Sequence, residues 1–338
     1  MDANENEFIK FAIDNGYSKF LEVYPDYDIS TLPIWVQEDI ENAYVYGASQ
    51  RCILMPDGQK YHMDNSLNDM NGRDWTLFIN SVFTTHYPAK GKEGYAHEIR
   101  KVHPSPKPPQ LMRDLINFFT KRGELVFDSF MGVGGTLLGA ALADRDAVGI
   151  ELNQKYIDAY KAAAEKLELK QFPTINGDCL EIIQDQEKMK SLLGDREISL
   201  MLIDPPYSNM MSKEKTGASM VVQGNTDATP FTNSEKDLGN MEKDQFLESL
   251  RRSVEYTLPY IKKRGYVIIF IKDLQPHKKE INFLHADVVN EINKIANVYY
   301  KGMKIWADTG AKLYPYGYPF CFVANQIHQY ILIFRKEK

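Results

Sequence analysis

The segment Asp204-Pro205-Pro206-Tyr207 places a carboxylate, two conformationally restricted residues and an aromatic ring in direct succession. The Asp204 side chain and the Pro205 carbonyl can accept two hydrogen bonds from one planar NH₂ group. The two prolines restrict φ and so stiffen these acceptors, while the Tyr207 ring offers a face on which a planar base can stack. We predict that these four residues orient an amino group carried by a planar ring, and they are the catalytic candidates.

A glycine-rich loop lies upstream, from Ser129 to Thr136, between an apolar run and a helical stretch. Glycines let the backbone turn sharply and approach a ligand closely, and the following helix offers free N–H groups at its N-terminus. Glu151, at the end of the next predicted strand, can accept hydrogen bonds from both ribose hydroxyls of a nucleoside. NAD and FAD are disfavoured, because Leu137 occupies the third glycine position of their Gly-x-Gly-x-x-Gly fingerprint. The loop therefore predicts a nucleoside-cofactor site.

Asp178 follows the third predicted strand, within Asn176-Gly177-Asp178-Cys179. A carboxylate at this strand end can accept a hydrogen bond from an adenine amino group. The same residue type is favoured as the N-cap of a following helix. The two roles are compatible, and both are predicted for Asp178.

Strands and helices alternate regularly from residue 124 onward. Short continuous apolar runs are typical of strands in a parallel sheet covered on both faces. Such strands are predicted at Glu124–Asp128, Ala147–Ile150, Phe172–Asn176, Ile198–Ile203 and Gly265–Lys272, with an antiparallel edge pair at Val298–Trp306 and Gln329–Arg335. The helices are predicted near 108–122, 135–143, 153–168, 179–192, 241–263 and 279–296. The fold class is therefore α/β, Rossmann-like and doubly wound, with a mostly parallel seven-stranded sheet.

Residues 1–96 are predicted to form a small mixed extension that precedes a catalytic domain at 97–338. The extension is interpreted as a recognition surface or a partner surface. Its predicted elements are helices near 4–15, 36–46 and 75–83, and a hairpin of strands 51–55 and 60–63 around the turn Pro56-Asp57-Gly58.

The net charge of −6 argues at first sight against a nucleic-acid partner. The charge is unevenly distributed, however: residues 1–85 carry 14 acidic and 5 basic side chains, a net −9, and the remainder is net +3. Residues 86–122 alone carry eight basic and three acidic side chains. Because a duplex responds to the face it meets, the overall charge does not exclude DNA. A solvated mixed-charge segment is the alternative interpretation.

Three cysteines, Cys52, Cys179 and Cys321, lie far apart and include no Cys-x-x-Cys pair. A disulfide framework and a cysteine zinc site are therefore not expected, and no metal is predicted. No run approaches the roughly 18 apolar residues needed to cross a bilayer. The polar, acidic N-terminus is unlike a signal or transit peptide. These features favour a protein of the reducing cytoplasm without a membrane partner.

These segments resemble the motifs of S-adenosylmethionine-dependent DNA amino-methyltransferases, the N6-adenine/N4-cytosine DNA methylases. Phe130-x-Gly132-x-Gly134 is similar to their cofactor motif, and Asp204-Pro205-Pro206-Tyr207 to their catalytic motif, in the gamma-like order. The segment from His103 to Leu111 resembles the one that touches the methionine end of the cofactor. The resemblance covers about residues 97–336 and implies a methyltransferase fold with S-adenosyl-L-methionine as cofactor. The cofactor-binding candidates are Lys107, Pro108, Asp128, Ser129, Phe130, Gly132, Gly134, Gly135, Thr136, Glu151, Leu152, Asp178 and Cys179.

The resemblance implies that a base is flipped out of double-stranded DNA, stacked on Tyr207 and methylated directly on its amino nitrogen. It implies a role in restriction–modification or another defence. Asp rather than Ser before Pro-Pro-Tyr favours adenine N6 over cytosine N4. C5-cytosine chemistry is excluded, because it needs a cysteine after proline in this loop. RNA guanine-N2 methylation, protein amino-methylation and a cofactor-binding regulatory subunit are the alternatives.

Two loops and the choice of target site have open interpretations. Residues 208–240 are polar and either close over DNA or are disordered. The aromatic loop Tyr314-Pro315-Tyr316-Gly317-Tyr318-Pro319-Phe320 is either a packed edge loop or a wall of the base pocket. The target sequence is read either by residues 1–95 with the loops or by a separate specificity subunit.

Overall fold

The computed structural model describes residues 3–207, 231–273 and 283–338, with side chains described from residue 7. The chain divides into two compact units. The first comprises Met1–Asn80 and Asn117–Arg122, and the second comprises Ser81–Ile116 and Gly123–Lys338. Residues 81–96, which the sequence placed in the N-terminal extension, thus lie in the second unit.

The first unit is built on a four-stranded antiparallel sheet with the order β1-β2-β3-β4. Its strands are β1 (Ser18–Lys19), β2 (Tyr44–Tyr46), β3 (Cys52–Leu54) and β4 (Lys60–His62). Its helices are α1 (Ala3–Asp14), α2 (Phe20–Val23), α3 (Ile34–Gln37) and α4 (Gly72–Phe78), with 3₁₀ turns at Ile29–Thr31 and Ile40–Asn42.

The predicted hairpin is confirmed, and one predicted helix is wrong. β3 and β4 pair around the turn, where Gly58 has φ +82° and the Met55 N–H donates to the Gln59 carbonyl at 2.8 Å. The predicted helix at 36–46 ends after its first residues, and β2 takes its last three positions. The sequence of β2 is Tyr-Val-Tyr, aromatic and β-branched, and it pairs on both sides with β1 and β3.

Residues 117–122 belong to the first unit and make specific contacts there. The Asn68 side-chain amide donates to the Phe118 carbonyl at 2.6 Å, and Lys121 Nζ donates to the His62 carbonyl at 3.1 Å. The Arg122 guanidinium lies 4.5 Å from the centroid of the Trp35 ring. The segment Asn117–Arg122, which includes the last residues of a helix and the turn after it, therefore packs within the first unit.

The second unit contains an eight-stranded sheet with the order β5-β11-β12-β10-β9-β6-β7-β8. β12 is antiparallel to both its neighbours, and every other pairing is parallel. The strands are β5 (Val82–Thr85), β6 (Leu125–Asp128), β7 (Asp146–Glu151), β8 (Thr174–Asn176), β9 (Ile198–Ile203), β10 (Ile261–Ile271), β11 (Val298–Asp308) and β12 (His328–Lys336).

The α/β doubly wound fold is confirmed, with one more strand than predicted. The helix predicted at 75–83 ends at Phe78, and the chain continues into β5, which pairs in parallel with β11 at residues 305–308. The pair β11 and β12 is therefore not the edge of the sheet. A four-residue strand of this kind carries little sequence signal, because its conformation depends on pairing with the distant strand β11.

The helices of the second unit cover the sheet and connect its parallel strands. They are α5 (His97–Arg100), α6 (Pro109–Phe119), α7 (Gly135–Leu142), α8 (Gln154–Lys166), α9 (Cys179–Gln184), α10 (Gln186–Leu193), α11 (Lys243–Thr257) and α12 (Leu284–Ile292). Short 3₁₀ turns lie at Lys92–Gly94, Leu238–Asn240 and Leu258–Tyr260. Across the described ranges, every helix is too short or too polar to cross a lipid bilayer.

The strand order reverses between β6 and β9 in the middle of the sheet. β7 and β8 extend the sheet on one side of this point, and β10, β12, β11 and β5 extend it on the other. Every residue of β6 and β9 is buried, so these strands form the rigid centre of the core. In open α/β sheets such a switch point leaves a crevice at the carboxyl ends of the strands, where ligands bind.

Candidate active site

A crevice lies at this switch point, and all four catalytic candidates line it. Seven cofactor-binding candidates line it as well: Ser129, Phe130, Gly132, Glu151, Leu152, Asp178 and Cys179. A smaller pocket, which shares Asp204 with the crevice, is lined by four more: Lys107, Asp128, Gly135 and Thr136. Pro108 and Gly134 line neither of these two cavities. The carboxyl ends of β6, β7 and β9 thus bring together residues that are far apart in sequence.

Glu151 is the last residue of β7, and backbone N–H groups hold both of its carboxylate oxygens. Gly132 donates to Oε2 and Asn153 donates to Oε1, each at 2.8 Å. Gly132 has φ +50°, which aims its N–H at the carboxylate. Burial raises the pKa of Glu151 to about 7. Each oxygen keeps a further lone pair, so Glu151 can also accept the hydroxyl hydrogens of a ribose.

Ser129 and Asp178 supply further polar groups on the same crevice. The Ser129 hydroxyl is buried, and its Oγ has no hydrogen-bond partner within the described part of the chain. Such an atom has hydrogen-bonding capacity that a ligand can use. Asp178 Oδ1 accepts from the Leu180 N–H at 2.9 Å and caps α9, as predicted. With Glu151, these residues form a donor and acceptor set that fits a nucleoside.

Asp128 ends β6 and is almost completely buried at 2% exposure. Its Oδ1 accepts from the Phe130 N–H at 2.9 Å. Burial, and to a smaller extent the carboxylates of Asp204 and Glu151, raise the pKa of Asp128 to about 7. A group whose pKa is higher in the folded protein than in the unfolded chain stabilises the fold at low pH, and this contribution is lost as the pH rises through the folded value.

Asp128→Asn therefore tests the burial of this carboxyl group. Relative to the wild type, we expect the variant to gain stability between about pH 4 and pH 7, by at most about 4 kcal/mol, because the amide stays neutral while the carboxyl group ionises. The measurement is the free energy of urea unfolding of both proteins at several pH values. A stability difference that does not change with pH would contradict the assignment.

Asp204 follows β9, and its carboxylate is bound by one ammonium group and one hydroxyl group. Lys107 Nζ lies 2.6 Å from Asp204 Oδ2, and the Tyr207 hydroxyl donates to Oδ1 at 2.7 Å. Burial, and then Asp204, raise the pKa of Tyr207 well above its ordinary value, so the hydroxyl stays a donor. The two contacts orient the carboxylate, which faces the same crevice as Glu151.

Tyr207 is more enclosed than the sequence indicated. Its side chain is 9% exposed, and its hydroxyl also lies 3.5 Å from Gln329 Oε1. The ring still lines the crevice beside Asp204. Its role as a stacking surface stays a prediction.

His103 is a crevice residue that was not among the candidates. Its ring stacks on Phe231 at a centroid distance of 5.0 Å and meets the edge of Tyr156 at 4.8 Å. Burial, followed by the charge of Lys107, lowers the pKa of His103 to about 3. The imidazole is therefore neutral, and it is a packing group rather than a cationic contact for DNA. Because His103 begins the segment His103–Leu111, which resembles a cofactor-contacting segment, the sequence could have placed it at the site.

Other crevice residues come from parts of the chain that sequence reasoning did not assign to the site. Phe231, Thr232 and Asp237 lie in the described part of the loop predicted at 208–240, whose first residues, 208–230, lie outside the described ranges. Lys272 directly follows β10, so the rule that sites lie at strand ends could have identified it. Gln329 had no such signal, because β12 runs in the opposite direction.

The basic stretch at 86–122 does not form one solvent-facing surface. Arg100 and Lys107 are buried and make contacts inside the protein: Arg100 donates to the Lys107 carbonyl, and Lys107 pairs with Asp204. Arg113 pairs with Asp114 at 2.7 Å. Lys121 and Arg122 belong to the first unit. The local net charge therefore overstated the field available to a duplex.

The aromatic loop at 314–320 exposes two of its rings to solvent. Tyr318 and Phe320 are 81% and 91% exposed, so the packed-edge interpretation is wrong for these residues. The base of the loop is held by Asn325, which accepts from the Tyr314 N–H and donates to its carbonyl, each at 2.8 Å. None of its residues lines the crevice.

Part of this chain is similar to known DNA methylases. Residues 33–162 match a family of DNA methylases, the N6/N4 methyltransferases, and the match includes the glycine loop and Glu151. A 56-residue stretch is 41% identical to the orphan methyltransferase M.BamHII of Bacillus amyloliquefaciens and covers 17% of this chain and 21% of that protein. A 67-residue stretch is 33% identical to the type II methyltransferase M.HpaI of Haemophilus parainfluenzae and covers 20% of this chain and 21% of that protein.

The chain spans about a fifth of the length of these curated relatives. Among solved structures, it is similar to TrmN from Thermus thermophilus, with a TM-score of 0.45, 11% identity, and coverage of 72% of this chain and 53% of that one. The family match and both relatives carry the name of a methylase or methyltransferase, and over residues 33–162 the chain is similar to the N6/N4 DNA methylases.

Proposed function

We propose that this protein is a DNA methyltransferase that moves a methyl group from S-adenosylmethionine to the N6 amino group of an adenine flipped out of duplex DNA. The observation that carries the proposal is the oriented Asp204 carboxylate, which lies on the same crevice as the backbone-bound Glu151. One crevice thus offers an acceptor for an amino group and an acceptor for a ribose.

Glu151, Asp178 and Ser129 would hold the nucleoside part of the cofactor. Glu151 accepts the ribose hydroxyls, and Asp178 accepts the adenine amino group with a lone pair that its helix cap leaves free. When bound, S-adenosylmethionine supplies a methyl group on a positively charged sulfur, which keeps the electron pair of the broken S–C bond as the N–C bond forms.

Asp204 and the Pro205 carbonyl hold the target amine by its two N–H groups. This orientation turns the nitrogen lone pair away from the protein acceptors and toward the methyl donor. Positive charge develops on the nitrogen during transfer, and the carboxylate stabilises it. One N–H proton then leaves to water, so no covalent intermediate with the protein is needed. Positioning and electrostatics supply the rate acceleration.

Adenine N6 is the proposed target, because Asp204 occupies the position before Pro-Pro-Tyr. Cytosine N4 is the second candidate within the same family. An RNA or protein amino group is the third, since the same acceptors bind any planar NH₂ group. The proposed setting is restriction–modification or a related defence. Target selection is proposed to rest on the first unit and the crevice loops, or on a separate subunit.

The decisive experiment is transfer of tritium from labelled S-adenosylmethionine to duplex DNA, RNA and protein, followed by nucleoside analysis. We expect labelled N6-methyladenine from duplex DNA of diverse sequence. Labelled N4-methylcytosine would correct the target base and leave the DNA assignment intact. Label found only in RNA or protein would refute the proposal.

A further inference from the structure

Lys107 lies far from Asp204 in sequence and yet contacts it directly. Its Nζ is 2.6 Å from Asp204 Oδ2 and 3.4 Å from the Tyr207 hydroxyl. The side chains of Lys107 and Asp204 are only 6% and 16% exposed. An ion pair removed from water to this extent is costly unless its geometry is good, and loss of one partner leaves the other charge buried.

Lys107 is itself held from two sides. The Arg100 guanidinium donates to its backbone carbonyl, and Arg100 is also buried. The ammonium lies 5.2 Å from the centroid of the Phe270 ring and 5.9 Å from that of Tyr207. Its side chain therefore has a fixed direction, toward the carboxylate that follows β9.

We propose that Lys107 is a positioning residue for Asp204: it keeps the carboxylate ionised and turned toward the target amine, and it is not primarily a contact of the cofactor. This inference rests on the proposed function, because it assigns to Lys107 a role in the methyl-transfer step. It differs from the role expected from the sequence, in which Lys107 touches the methionine end of the cofactor.

The charges around the pair explain why Asp204 needs a cation. Asp128 on β6 and Glu151 on β7 are buried carboxyl groups. The charges of Asp204 and Glu151 both contribute to the raised pKa of Asp128. Tyr207 is a hydroxyl donor, and His103 is neutral. Two further cations, Arg100 and Lys272, lie near Lys107: Arg100 donates to the Lys107 carbonyl, and burial followed by the charge of Lys107 lowers the pKa of Lys272. Of these groups, Lys107 is the one paired directly with Asp204.

A protonated Asp204 would be a poor hydrogen-bond acceptor for the target amine and would no longer stabilise its developing charge. Its O–H would be a donor, whereas the target N–H needs an acceptor and the developing positive charge needs a carboxylate. Without the ammonium, the carboxyl group sits next to Asp128 in a poorly solvated crevice and binds a proton more readily. Lys107 thus acts on the reaction through Asp204.

The test compares Lys107→Met, Lys107→Arg and Lys304→Met. Lys304 is the matched control, because it is also a buried lysine beside an aromatic ring, 5.2 Å from the Phe83 centroid, and lies away from the crevice. Single-turnover transfer at saturating cofactor is measured as a function of pH with whichever substrate the wild type methylates, and cofactor affinity is measured by calorimetry with S-adenosylhomocysteine.

We expect Lys107→Met to slow transfer by about 100-fold near neutral pH, of the order seen when one charge-stabilising contact is removed. The loss should shrink as the pH rises, and cofactor affinity should change by less than about threefold. Lys107→Arg should recover most of the rate, because it restores the cation. Lys304→Met should behave like the wild type.

A second readout does not depend on activity. In cofactor-free protein at about pH 6, above the usual range of aspartate, the buried carboxyl groups of Asp128 and Glu151 already carry protons in part, so the readout is a difference spectrum. Lys107→Met minus wild type should show the infrared band of one additional protonated carboxyl group, and Lys107→Met/Asp204→Asn minus Asp204→Asn should not show it. Absence of this band would overturn the inference, whether or not a substrate is found. A large loss of cofactor affinity with an unchanged transfer rate would also overturn it and would make Lys107 a cofactor contact. A pH-independent loss that arginine does not rescue would make its role structural.

Discussion

Asp204→Ala is expected to slow methyl transfer by about 10³-fold or more while cofactor affinity changes little. The substitution removes the acceptor that orients the target amine and the carboxylate that stabilises its developing positive charge. Removing one such preorganised electrostatic contact costs about 10²–10³-fold in other enzymes, and loss of orientation adds to this. The proposed nucleoside contacts, Glu151 and Asp178, lie on other strand ends and keep their backbone hydrogen bonds.

The measurement is single-turnover transfer of tritium together with calorimetric binding of S-adenosylhomocysteine. Asp204→Asn is the companion variant, because it keeps one carbonyl acceptor but loses the charge, and it should lie between Asp204→Ala and the wild type. Thermal unfolding of each variant controls for the Lys107 ammonium that is left without its partner. Loss of both transfer and cofactor binding would instead show that Asp204 supports the structure of the crevice.

Gly134→Ala is expected to destabilise the second unit by about 3 kcal/mol. It is also expected to weaken cofactor binding, because displacement of this loop would move Gly132, whose N–H holds Glu151 on the crevice. A Cβ at Gly134 would lie 2.2 Å from Cδ2 and 2.7 Å from Cγ of Tyr160. Tyr160 cannot move aside easily, because it is fully buried and its hydroxyl accepts from the Phe172 N–H at 2.8 Å. Overpacking of this kind costs about 1–3 kcal/mol, and the φ of +74° at Gly134 adds backbone strain.

Gly123→Ala is the matched control for this prediction. Gly123 has a similar φ of +79°, and a Cβ there would meet nothing within 4 Å. The control therefore carries the backbone strain without the collision, and the difference between the two variants measures the collision alone. Denaturant unfolding gives the stability of each protein, and calorimetry gives the affinity for S-adenosylhomocysteine. Equal effects at the two positions would contradict the packing role of Gly134.

Local sequence patterns were sufficient for the central strands and for the loops at their ends. β6, β7 and β9 are continuous apolar runs, and each is followed by a polar or glycine-containing segment that faces the crevice. Since the carboxyl ends of parallel strands meet at one edge of a sheet, their order along the chain predicts that Asp128, Glu151 and Asp204 converge. The structure brings these three carboxyl groups to one place.

Edge elements and loops were harder to predict, because their conformation depends on distant partners. β5 is stable through its pairing with β11, and β2 replaces a predicted helix because β1 and β3 lie on either side of it. Tyr318 and Phe320 are exposed, and Asn325, which lies after them in the chain, closes the base of their loop. Aromatic composition alone is equally compatible with a buried and an exposed loop.

By itself, the sequence determined the fold class, the position of the glycine-rich loop and the identity of the residues that end each central strand. These properties follow from local periodicity and chain order. Only the tertiary structure decided which charges meet: it buries Lys107 against Asp204, turns Gly134 toward Tyr160 and makes His103 neutral. The reason is physical, because pairing, packing and desolvation depend on distances between residues that are far apart in the chain, and no local pattern encodes those distances.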